Sequence, residues 1–160
     1  MEETIKRAIS LRKQSRFAES RSLLASLLGS KEHEAQAHLH IAWTYDNEGK
    51  ESLAVDHYVA AISGDLAVNE RFEALLGLAS TYRSLGLYHD ALRYFDIALA
   101  EYPNALEIKP FYAMCLYNLG RHKEAVALLL ELLVTTTNSE EIRQYQRAIT
   151  LYAKDLDKTW

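Results

Sequence analysis

The sequence predicts an all-α chain of stacked helix pairs, and three observations carry that prediction. A set of residue types recurs at a spacing near 34 residues, most fully over residues 75–103. Within each recurrence, apolar residues fall in two stripes at helical spacing, one for each half of the unit. Glycine marks the expected helix ends: Gly29, Gly49, Gly64, Gly86 and Gly120 all fall there, and only 2 prolines interrupt the chain.

The units start at residues 1, 35, 72 and 106, so one of the three intervals is longer, with about three residues inserted near Asn69, Glu70 and Arg71. The third unit is the clearest. Leu75, Leu78, Ala79 and Tyr82 make the stripe of its first helix, Gly86 the turn, and Ala91, Phe95 and Ala98 the stripe of its second; Pro103 blocks continuation. The fourth supplies Tyr112, Ala113, Leu116, Gly120, Ala125, Leu129 and Leu132 at the same offsets. The second supplies Ile41, Ala42, Tyr45, Gly49, Ala54, Tyr58 and Ala61. The first is the most degraded, with Ala8, Leu11, Ser15, Phe17, Ser20, Leu24 and Leu27. Small residues recur where two helices must approach closely for their ridges to interlock. Beyond the fourth unit, Ser139 and Glu140 make a good helix start. Ile142, Tyr145, Ala148, Ile149, Tyr152 and Leu156 then continue at helical spacing to about Asp157. The count is nine helices and no strand.

This arrangement resembles the tetratricopeptide repeat (TPR) family, in particular its small bacterial-type members. The third unit departs only at its fourth position, where Leu75 stands for the usual Trp. The resemblance implies an α-solenoid of four helix-turn-helix repeats in a right-handed superhelix. It implies a single domain over 1–160, with repeats 1–34, 35–71, 72–105 and 106–139 and a capping helix over 140–157. It also implies a non-enzymatic, cytoplasmic adaptor or scaffold that binds other proteins.

Composition and charge narrow the function. The start, Met1-Glu2-Glu3-Thr4-Ile5-Lys6-Arg7, has no apolar core and does not read as a signal peptide. The longest apolar run, Ala125 to Leu130, is far short of a membrane span. Lone Cys115 reads as a buried or half-buried free thiol. Residues 1–31 hold seven basic and three acidic residues, and the rest hold eleven basic and nineteen acidic, so a chain of net charge −4 carries its positive charge at one end. An ordinary solvated helix face is the simpler reading of that end; steering of an acidic partner, or of a second copy, is the other. Nucleic-acid binding is disfavoured, because the net charge is negative and no basic run is interleaved with stacking aromatics. His33 and His38 are five apart and diverge around a helix, as do His38 and His40, so no metal site is expected. No cofactor motif, nucleophile elbow or phosphate loop is present, and no catalytic residue is assigned.

The family resemblance further implies that the first helix of each repeat lines a concave groove. On that assignment the groove carries Ile9 from the first unit, Leu39, His40, Trp43 and Asp46 from the second, Leu76, Ser80 and Arg83 from the third, and Phe111, Met114 and Tyr117 from the fourth. Gly77 and Ser80 should leave a hollow in its middle. Many co-chaperones of the family hold a peptide carboxylate in a Lys and Asn clamp. Here the clamp positions hold Ile5, Ile9, His40, Glu73 and Gly77, so a chaperone tail is not the expected ligand. The expected partner is a protein segment, extended or helical, laid in an apolar and aromatic groove. The alternatives are a homodimer that buries the groove or an end face, and part of the groove packing internally under a tighter superhelix.

Overall fold

The computed structural model describes residues 2–159; Met1 and Trp160, the two ends of the expected domain, lie outside them. Among the described residues there are ten helices and no strand. They are α1 (Glu2–Lys13), α2 (Phe17–Ala25), α3 (Glu34–Asn47), α4 (Glu51–Ser63) and α5 (Val68–Ser84). Then follow α6 (Tyr88–Glu101), α7 (Ile108–Asn118), α8 (His122–Thr136), α9 (Glu140–Arg143) and α10 (Gln146–Lys154). The first eight fall where the repeat spacing puts them. The three inserted residues lengthen a helix rather than a loop: α5 has 17 residues where α3 has 14. Glu70 stabilises the new start by accepting a hydrogen bond from the backbone N–H of Ala67 at 3.3 Å.

The turn inside each helix pair has one geometry, repeated four times. A backbone N–H bonds the carbonyl five residues back in Arg16→Leu11, Lys50→Tyr45, Leu87→Tyr82 and Arg121→Leu116, all at 2.9 Å. The preceding residue bonds three back, as in Gly49→Asp46 at 3.1 Å and Gly86→Arg83 at 3.0 Å. This is the Schellman helix end, which needs a left-handed residue. Gly49, Gly86 and Gly120 supply it with φ of 75°, 76° and 76°, and in the first turn Ser15 does so with φ 60°. Gly64 is different. Its φ is −97°, but a Cβ there would stand 2.6 Å from the Cβ of Ala35, so the absence of a side chain lets the end of α4 approach the start of α3.

The chain divides into two compact units, one through Ala98 and one from Leu99, the boundary falling inside α6. In the first, Ile5, Ala8, Leu24, Leu27, Ala37 and Ile41 form one buried cluster. Leu39, Ala42, Ala54, Tyr58, Ala61, Ala74 and Leu78 form another. Helix α3 belongs to both and packs against α1, α2, α4 and α5. It is therefore buried over most of its circumference. The small residues predicted at close approaches are where they should be: Ala8, Ala42, Ala79 and Ala113 on first helices, and Ser20, Ala54, Ala91 and Ala125 on second helices, are all buried. Ser20 stays polar by donating its hydroxyl to the carbonyl of Ala8 at 2.7 Å.

In the second unit α8 packs against α7 and α10. Cys115 is buried as a free thiol. The tail corrects the sequence expectation of one continuous helix. Ser139 caps it as predicted, its hydroxyl accepting the N–H of Ile142 at 3.4 Å. The helix then breaks after Arg143, where Tyr145 bonds the carbonyl three back, at Ile142, rather than four back. Tyr145 leaves helical geometry there, with φ −98° and ψ 4°, and α10 restarts at Gln146. Val126, Leu129 and Leu133 on α8 remain exposed, so α10 covers only part of the apolar surface of α8.

The shared turn geometry sets a stability test. Ser15 is held in a conformation that costs an L-residue about 1 kcal/mol. Ser15→Gly is expected to raise the melting temperature, and Gly86→Val to lower it, each by roughly 1 kcal/mol in thermal or chemical unfolding.

Candidate protein-interaction surface

The predicted groove residues occupy three environments. Leu39 is fully buried in the core of the first unit, and His40 is buried beside it. Both are corrections to the expected groove, because they offer no appreciable surface to a ligand. The physical reason is the approach of neighbouring first helices: α3 touches both α1 and α5, so side chains assigned to an open face fill the seams between them. Ile9, Trp43, Asp46, Leu76, Ser80 and Arg83 are half-buried. Ile9 packs on the cluster around Ile5, and Trp43 on the cluster around Leu39. Phe111, Met114 and Tyr117, in the second unit, are exposed along one side of α7, Tyr117 at 62% of its surface.

The expected hollow at Gly77 is filled. A Cβ on Gly77 would lie 2.7 Å from the ring of Tyr58, so the phenol of α4 rests directly on the backbone of α5. The Tyr58 hydroxyl donates to Asp46 Oδ2 at 2.6 Å, and the Thr81 hydroxyl donates to the same carboxylate at 3.2 Å. One carboxylate thus joins α3, α4 and α5. Burial pushes the Asp46 carboxyl up, and the two hydroxyl bonds pull it partly back. Burial raises the Tyr58 phenol strongly, reinforced by the neighbouring Asp46 charge. Asp46 is accordingly a structural fastener whose acceptor capacity is engaged from inside.

Around Trp43 the face is polar and cationic. The Arg12 guanidinium lies 5.0 Å from the centre of the Trp43 ring, within cation–π range. It donates to Asn47 Oδ1 at 3.3 Å. His40 meets the Trp43 ring edge-on, with centroids 4.9 Å apart. Burial, and behind it the Arg12 charge, push His40 down to about 4.

Sequence reasoning missed one pair. His38 on α3 and His57 on α4 approach to 2.8 Å between their Nδ1 atoms. One ring donates and the other accepts, which requires at least one to be neutral. Burial lowers both. The two lie nineteen residues apart on different helices, so no local spacing signals them. Among the described residues, no group of three or more His, Cys, Asp or Glu could hold a metal ion.

Paired helices with a common turn, stacked through small residues, define a class of helical-repeat protein. A tetratricopeptide repeat family model matches residues 35–156, and the chain belongs to that family. Among solved structures it is similar to nearly identical TPR-like repeats of a kinesin-light-chain-like protein from Podosopora anserina. The identity is 18%, the TM-score is 0.70, and the match covers 98% of this chain and 87% of that one. A single-substitution variant of the same protein matches equally well. That likeness bears on the fold alone. Against curated protein sequences the chain has no match. Repeats of this family are protein–protein interaction modules. Among the described residues, no helix is long and apolar enough to cross a membrane.

The Tyr58 contact and the buried histidines each set a measurement. Gly77→Ala is expected to destabilise by about 1–3 kcal/mol, because Tyr58 must move off its ledge. The second measurement concerns pH. Native His40 binds its proton near 4, against 6.5 for the ordinary group, so the unfolded chain takes up the proton first. Stability present above pH 6.5 is therefore lost as pH falls from 6.5 towards 4, with His38 and His57 acting in the same direction. Asp46, raised by burial, opposes this in the carboxylate range. Melting temperatures across this window should fall less for His40→Leu than for the wild type.

Proposed function

We propose that this chain is a non-enzymatic adaptor that binds a segment of a partner protein through the inner sides of its first helices. In the first unit the face is formed by Ile9, Trp43, Leu76, Ser80 and Arg83, with the Arg12 guanidinium over the Trp43 ring. In the second it is the stripe of Phe111, Met114 and Tyr117 on α7. The observation that carries the reading is that stripe: three large apolar side chains at helical spacing, two of them aromatic, all exposed. Such a patch on a water-exposed helix favours an interaction role, and aromatic residues and Met are enriched where partners bind. Family membership supports the same class of function.

The test is a pull-down with wild-type protein, Trp43→Ala, Tyr117→Ala and an outer control, Arg93→Ala. Truncating an anchoring aromatic typically costs about 2 kcal/mol or more. A partner retained by wild type and Arg93→Ala, but lost from Trp43→Ala or Tyr117→Ala with helix content intact by circular dichroism, is the expected result. Retention by both inner variants contradicts the proposal.

A second reading is favoured by the exposed Val126, Leu129 and Leu133 on α8. That face suits burial against another copy of the chain, which makes the protein a homodimer through its end. Light scattering separates the two. A dimer mass at micromolar concentration that reverts to monomer in Leu129→Lys supports self-association, and a monomer mass for the wild type removes it.

A further inference from the structure

We infer that Arg12 is a receptor for a carboxylate side chain on the partner, so that the segment bound in the first unit is acidic as well as apolar. The inference rests on the proposed inner-face reading and names the chemistry of its ligand. A contrast with four paired arginines motivates it. Arg16 pairs with Glu19, Arg21 with Glu48 at 2.7 Å, Arg121 with Glu124 at 2.6 Å and Arg143 with Glu140 at 3.2 Å. Arg12 is partly buried, yet among the described residues no carboxylate lies within ion-pair distance of it.

Its surroundings compensate it only in part. The guanidinium has the Trp43 face at 5.0 Å and one amide oxygen, Asn47 Oδ1, at 3.3 Å. Its Nε is buried without a hydrogen-bond partner, and so is Nδ1 of the neighbouring His40. Unpartnered buried polar atoms on a half-buried cation and on the histidine that feels its charge cost stability unless something fills the need. Burial lowers the Arg12 pKa, as expected where water has been removed without a counter-charge. Asp46, next to Asn47 on α3, has its carboxylate engaged by the hydroxyls of Tyr58 and Thr81.

A carboxylate brought by a partner supplies what is missing. The planar guanidinium fork suits that group, and the Trp43 ring gives the partner's adjoining apolar side chain a wall. Net charge agrees: residues 1–31, which include α1, carry seven basic and three acidic residues, so the approach to Arg12 is favourable for an acidic segment. Arg12 is not one of the positions used by the chaperone-tail clamp, and the ligand group is a side chain rather than a chain terminus.

The experiment is selection from a random dodecapeptide library displayed without free C-termini, run in parallel on wild type and Arg12→Gln. Recovered peptides are then screened for loss of binding to Trp43→Ala. The leading peptide is made in two forms, with its acidic residue as Glu or as Gln, and both are titrated by fluorescence anisotropy at low and high salt. The expected result is enrichment of Asp or Glu on wild type and not on Arg12→Gln. Replacing Glu by Gln should weaken binding to wild type about tenfold, less so at high salt, and leave Arg12→Gln nearly unaffected. Should Arg12→Gln fail to fold, the Glu and Gln peptides on wild type decide alone. Apolar peptides that depend on Trp43 but show no acidic preference overturn the inference and leave the inner-face reading standing. If no peptide recovered depends on Trp43, the inference falls together with the first-unit part of the inner-face reading.

Discussion

The contact on which the first unit depends is the ring of Tyr58 lying on Gly77. A side chain as large as Tyr fits between α4 and α5 only because the facing residue has no Cβ. Its hydroxyl then reaches Asp46 on α3, and Thr81 of α5 reaches the same carboxylate. Three helices are fixed by one apolar contact and one shared acceptor. A buried carboxylate is expensive unless its oxygens are satisfied, and here hydroxyl donors come from two directions. With α3 fixed in this way, Trp43, one turn before Asp46, is held against the core while part of its ring stays open to solvent. Arg12 of α1 then lies against that ring. The inner face is the consequence of this packing rather than an independent surface.

Tight packing also limits what the face can offer. Helix α3 buries Ala35, Ala37, Leu39, His40, Ile41, Ala42 and Thr44, which lie all round its axis. Two narrow bands remain reachable, one with Trp43 at its centre and one along Glu34, His38 and Tyr45. The Trp43 band is bordered by a cation on α1, the Arg12 guanidinium. A narrow band with one aromatic and one charge is more selective than a broad apolar groove, because a partner must match both position and charge. The stripe on α7 is of the other kind, apolar and exposed along one side of the helix.

The sequence made the helix pairs and their turns legible because each rests on a local rule. A left-handed residue at the end of a first helix is written as glycine in three turns, and the register still finds it at Ser15, where the sequence alone suggested only decay of the pattern. Small residues at helix crossings were equally legible, since a close approach excludes large ones. What failed was whatever depends on the distance between helices. Leu39 and His40 were placed on an open face by position, and the seam that buries them is set by how closely α1, α3 and α5 stack. The Tyr58–Gly77 fit was invisible for the same reason: a ring and a missing Cβ, nineteen residues apart, carry no periodic signal. The His38–His57 pair shares that limit. The break at Tyr145 was missed because the apolar spacing runs through it unchanged.

The central claim for the first unit is that binding occurs on its first helices and not on the second helices that back them. Amide hydrogen exchange, measured with and without a bound partner segment, tests it most directly. Amides in the middle of a helix exchange by local opening, and a ligand that stabilises one helix slows the opening of that helix most. Slowed exchange concentrated in α1, α3 and α5, centred on residues 40–47, is the predicted result. Protection confined to α2, α4 and α6 would contradict the account.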